Sequence, residues 1–197
     1  MKVVQVKCPK CGVPIQSKQK DMLFHCQQCG VLHVRNGGVT FVDYEIADFS
    51  RQAPREGRTY VPFWRMYSHF TILHLDSKGG TTFKLSNWVK GGKGDSGEMF
   101  VFVPAPDFDP PTFKRLATLL TMDWPKYSTR LDFAGVPRLP AAIKREEAER
   151  LAHFVVITME AEKPGILQDL EYTLVIKDAR IVYLPFNATA NGLMPSF

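Results

Sequence analysis

Cys8-Pro9-Lys10-Cys11-Gly12 and Cys26-Gln27-Gln28-Cys29-Gly30 contain all four cysteines of this 197-residue chain, with fourteen residues between Cys11 and Cys26. Two Cys-x-x-Cys turns joined by a short loop can bring four thiolates to the corners of a tetrahedron. The glycine after each second cysteine lets the backbone turn its amides toward the sulfurs. Four thiolates close the coordination shell and leave no position for water, so the chemistry they support is structural. Cys8, Cys11, Cys26 and Cys29 are the expected metal ligands. His25 and His33 flank the second knuckle and could replace a thiolate; with four sulfurs present they are expected to be exposed neighbours.

On these knuckles the first forty or so residues resemble zinc-ribbon proteins, in which one ion is clamped between short strands. The resemblance covers about a quarter of the chain and implies a zinc ion. It implies no single activity, because zinc ribbons occur in transcription factors, polymerase subunits, ribosomal proteins and metabolic enzymes. Other uses of the cysteines fit less well. Two disulfides need an oxidising compartment, yet Met1-Lys2-Val3-Val4-Gln5-Val6-Lys7 is not an apolar leader, and a cytoplasmic protein is expected. A thioredoxin-type redox pair would leave the second knuckle unexplained. A rubredoxin-like iron centre shares the ligand type, but rubredoxins resemble this chain only at the knuckles, which favours zinc over iron.

Charge adds a second reading. Lys2, Lys7, Lys10, Lys18, Lys20 and Arg35 face Asp21 alone in residues 1–35, while the rest of the chain carries equal numbers of acids and bases. All of the net charge of +5 therefore sits on the cysteine module. Lys7, Lys10, Lys18, Lys20 and Arg35 are candidate phosphate contacts for a nucleic-acid partner, although four thiolates on a divalent ion subtract two charges from the module. The preferred reading is a protein partner gripped by a rigid ribbon. Self-association is a further expectation, since the aromatic strands could build a subunit interface.

Catalytic patterns are weak, and no catalytic or cofactor-binding residue is picked out. Gly91-Gly92-Lys93-Gly94-Asp95-Ser96-Gly97 departs from the phosphate-loop pattern and precedes a strand instead of a helix. His69 and His74 are an odd number apart and fall on opposite faces of a regular strand. Asp109 in Asp107-Phe108-Asp109 reads as a helix cap.

The positioning elements follow from hydrophobic period and turn chemistry. Val31–Arg35 and Val39–Asp43 form a hairpin around Asn36-Gly37-Gly38. Residues 1–46 make the ribbon, 47–58 a polar linker and 59–197 an α+β domain. That domain opens with one long bent strand over 59–75, followed by strands at 81–89 and 98–103. A helix starts at Pro110, with Phe113, Leu116, Ala117 and Leu120 on one face, and a second helix runs over 140–153. Strands return at 154–160, 172–177 and 180–184, the last two as a hairpin around Asp178-Ala179. Tyr60-Val61-Pro62-Phe63 is echoed by Tyr183-Leu184-Pro185-Phe186, so an internal duplication would place the two segments as equivalent strands near a common centre. No apolar run is long enough to cross a bilayer.

Overall fold

A computed structural model of the protein describes residues 7–15, 21–35, 39–78, 96–161, 166–190 and 192–197. Three short antiparallel strands come first, β1 (Leu23–His25), β2 (Leu32–Arg35) and β3 (Val39–Phe41), in the order β1-β2-β3. The expected hairpin supplies β2 and β3, with Arg35 opposite Val39, while Asn36, Gly37 and Gly38 lie outside the described residues. β4 (Tyr44–Ala47) leaves this sheet for a larger one. Its companions there are β5 (Arg58–Lys78), β6 (Ser96–Pro104), β7 (Thr129–Arg130), β8 (Ile166–Thr189) and β9 (Gly192–Pro195). The order is β6-β5-β8-β4-β7, with β9 pairing β8 past the end of β4. Two helices, α1 (Pro110–Met122) and α2 (Arg145–Ala161), complete a mixed α+β fold. The segment 81–89, expected as a strand, falls outside the described residues.

β5 and β8 form the spine of the large sheet. Both are rich in β-branched and aromatic residues, which suit a pleated surface buried on two sides. The echoed tetrapeptides lie side by side in this pair, with Tyr60 opposite Pro185, Val61 opposite Leu184 and Pro62 opposite Tyr183. Pro62 O accepts from the Ala105 amide and Pro185 O from the Ser196 amide, so each proline turns its missing donor away from the β5–β8 ladder. The echo extends to packing, since Phe63 and Phe186 stack at 6.0 Å. The local symmetry stops there. β6 runs antiparallel to β5, whereas β4 runs parallel to β8.

Two expectations from sequence are corrected. Residues 172–184 are one continuous strand and not a hairpin around Asp178-Ala179; Asp178 and Ala179 pair with Tyr67 and Met66 of β5, and a register shift at Tyr67/Ser68 leaves Lys177 as the extra residue within β8. Residues 154–160 belong to α2 and not to a strand. The apolar run Phe154-Val155-Val156-Ile157 reads as β locally, but Ala148, Ala152, Val155, Val156 and Met159 form a buried helical stripe. That stripe packs in a core cluster with Tyr60, Trp64, Met66, Phe70, Val101, Val103 and Tyr183. Full burial of each large side chain contributes about 1.5–3 kcal/mol.

On the other face Val61, Phe63, Phe102, Val182, Leu184 and Phe186 meet Leu116 and Leu120 of α1. Asp109 caps that helix as expected, its Oδ1 accepting from the Thr112 amide at 2.9 Å. Thr121 Oγ1 accepts from the Phe102 amide, so α1 also covers the edge strand β6. Phe49, in the stretch read as a linker, is buried against Tyr60 at 5.2 Å. Leu193 and Phe197 of the tail pack on the second cluster. Among the described residues no helix is long and apolar enough to cross a membrane.

Where β4 joins the sheet, Glu45 is held bidentately by Arg65 at 2.8 and 3.0 Å and also accepts from Tyr127 and Arg180. Burial pushes the Glu45 carboxyl up, but these hydrogen bonds and the Arg65 charge outweigh it and hold the pKa below its ordinary 4.5. A lowered native pKa means that this group's contribution is complete above pH 4.5 and is lost as pH falls through the native value. Glu45→Gln is expected to remove about 1–3 kcal/mol at neutral pH. In urea titrations across pH 3–7, the variant should lose less stability than the parent on acidification. Parallel acid limbs would refute this role.

Candidate metal centre

Each knuckle folds by the same local bonds. The Cys8 amide donates to Val13 O at 2.9 Å and the Gly12 amide to Cys8 O at 2.8 Å; the Cys26 amide donates to Val31 O at 2.9 Å and the Gly30 amide to Cys26 O at 2.8 Å. The turn requires positive φ at its fifth residue, and Gly12 at 73° and Gly30 at 68° supply it. β1 leads into the second knuckle and β2 leads out, so one antiparallel pair fixes that half of the centre.

The twin turns place the sulfurs of Cys8, Cys11, Cys26 and Cys29 within 4.8 Å of one another. Cys8 Sγ lies 3.6 Å from Cys29 Sγ, and Cys11 Sγ lies 3.5 Å from Cys26 Sγ. A disulfide needs about 2.05 Å, so no pair is bridged. Tetrahedral coordination at about 2.3 Å per bond sets the sulfurs roughly 3.8 Å apart, close to the spacing found. All four sequence-predicted ligands are therefore brought together around a space that fits a metal ion.

Electrostatics point the same way. Loss of hydration pushes the Cys8 thiol up, but the Cys11 and Lys10 amides and His33 outweigh it and draw the pKa down to about 6. At Cys11 the Val13 amide draws the thiol down, while loss of hydration and the crowded sulfurs of Cys26, Cys8 and Cys29 push it up to about 12. Four adjacent sulfurs cannot all ionise on their own. A bound cation supplies the positive charge that lets them do so.

His33 is not the exposed neighbour expected from sequence. It is fully buried, with Nε2 3.3 Å from Cys8 Sγ, because β2 is the central strand of its sheet and turns this side chain under the first knuckle. His25 is half-buried, edge-on to Tyr44 and Phe133. Its pKa is lowered, first by burial and then by the Arg138 charge. Of the candidate phosphate contacts, Lys7 and Lys10 are exposed beside the first knuckle. Lys18, Lys20 and the side chain of Arg35 lie outside the described residues.

A feature that the cysteine motif does not announce ties the centre to the rest of the molecule. Asp21 Oδ2 lies 2.8 Å from Arg138, and Asp21 Oδ1 accepts from the Leu23 and Ala141 amides at 3.1 Å each. Arg138 also donates to Leu23 O and to the Tyr183 hydroxyl. In sequence Asp21 is the one acid among residues 1–35, which was the available signal. Its partner lies more than a hundred residues away.

Compared with protein-family models, with curated proteins and with solved structures, the chain matches none. What fold and site define is an α+β protein with a small cysteine-bearing sheet whose four sulfurs can hold a metal ion.

Proposed function

We propose that this is a zinc-ribbon accessory protein of the reducing cytoplasm, in which zinc makes the cysteine module a rigid knob for contact with another protein. The observation that carries the reading is the closed set of four free thiols on twin knuckles. Such a set suits a structural ion without redox chemistry and leaves no open position for catalysis. Exposed apolar groups on and beside the knob support a protein partner. Phe41 on β3 is 62% exposed, and Leu131, next to the 132–138 loop that faces the second knuckle, is 97% exposed.

The excess of lysine on the module favours one competing reading, a phosphate-binding surface at Lys7 and Lys10. The two part in a single titration of the full-length protein with labelled single- and double-stranded oligonucleotides at 50 and 200 mM salt. The adaptor reading expects no retention at either concentration. Binding that falls steeply with salt and disappears in Lys7→Glu/Lys10→Glu would replace it with the nucleic-acid reading. Metal analysis of the same preparation is expected to give one zinc per chain and a colourless solution. A coloured, iron-loaded protein would make the centre an electron carrier instead.

A further inference from the structure

We infer that His33 is a positioning residue of the metal centre, holding Cys8 as a thiolate ligand through an Nε2–H to Sγ hydrogen bond and thereby slowing release of the ion. The inference rests on the metal-binding reading above and goes beyond it, because it gives one ligand an anchor that its counterparts do not share among the described residues. By backbone alone the two knuckles are alike. His33 breaks that symmetry, adding a side-chain donor to Cys8.

The geometry leaves His33 little freedom. Its backbone is paired on both sides, opposite Phe24 on β1 and Phe41 on β3. Its ring lies 5.1 Å from that of Phe41, and the residue is fully buried. A metal-bound sulfur has no proton, so a hydrogen bond at 3.3 Å requires the proton to sit on Nε2. Nδ1 is buried with no hydrogen-bond partner among the described residues. An apolar side chain would avoid that unpaired atom, so a histidine here is accounted for by the bond its other nitrogen makes. Groups outside the coordination shell that donate to a ligand tune how firmly a site keeps its metal, and their loss commonly weakens affinity 10-fold or more.

The test uses the full chain loaded with zinc, in three forms: the parent, His33→Phe, which keeps a ring without a donor, and His33→Gln, which keeps a donor. Zinc transfer to a chromogenic chelator is followed with and without hydrogen peroxide. His33→Phe is expected to release zinc roughly 10-fold faster than the parent, and His33→Gln is expected to recover most of that difference. In the parent loaded with cadmium-113, nuclear magnetic resonance should find a proton on His33 Nε2, with scalar coupling from that proton to the metal through Cys8. Equal release rates in a folded His33→Phe, or a proton on Nδ1 alone, overturn the inference while leaving the metal centre intact. A parent that binds no metal overturns both.

Discussion

Stripping the metal, or replacing Cys26 with alanine, is expected to unfold β1, β2 and β3 while β5 and β8 stay folded. Few of the module's described residues are buried, chiefly Leu23, Phe24, Leu32 and His33 beside Cys8, Cys26 and Asp21. A core that small does not hold a chain segment in water without a staple. A structural four-thiolate zinc supplies about 10–16 kcal/mol of folding free energy, as much as the whole stability of a typical domain. The large sheet has its own core and does not depend on the ion in that way. It does lose cover, because Leu23 and Leu32 share a cluster with Tyr60 and Tyr183, so its melting temperature should fall by several degrees. Hydrogen exchange read amide by amide, with and without chelator, checks both halves. Protection that persists across β1–β3 in the metal-free protein would show that something other than the ion holds the module.

The legibility of the sequence tracks the range of the interactions. The knuckles, the β2–β3 pairing, the Asp109 cap and the face of α1 are all set within a few residues, and spacing and turn chemistry reveal them. Pairing across long stretches of chain is not written in the same way. Tyr44–Ala47 continues the ribbon in sequence, yet it lies parallel to β8, with Ile46 beside Tyr183. The short run Phe154-Val155-Val156-Ile157 supports either period, and only the facing sheet decides for helix. Asp178-Ala179 carries turn chemistry that pairing with Tyr67 and Met66 of β5 overrides. The echoed tetrapeptides are the instructive exception. A repeat detected without any knowledge of pairing names the two segments that meet at the centre of the sheet. The buried network that locks module to sheet is marked only at one end, by Asp21 as the lone acid of residues 1–35, while Arg138 looks like an ordinary surface charge until the fold brings the two together.

That network is also where a single substitution should do the most damage outside the cysteines. The Asp21 side chain is 2% exposed and meets Arg138, so Arg138→Met leaves a buried carboxylate facing a thioether. Removing one partner from a buried pair costs about 3–5 kcal/mol, more than the pair adds over well-packed apolar residues. Arg138 is placed firmly for the task. The Tyr60 amide donates to Pro137 O, and Tyr60 O accepts from the Leu139 amide, so the strand beneath grips the backbone on either side of it. Asp21→Leu removes the charge but strands the Leu23 and Ala141 amides, so the double variant should recover only part of the loss. In urea unfolding of the metal-loaded protein, the midpoint for Arg138→Met should fall with little change in slope, while metal content stays equal to that of the parent. A bound ion would fix the knuckles locally, whereas Asp21 and Arg138 join the module to the sheet. A cost below 1 kcal/mol would mean that the shared apolar cluster alone joins the two.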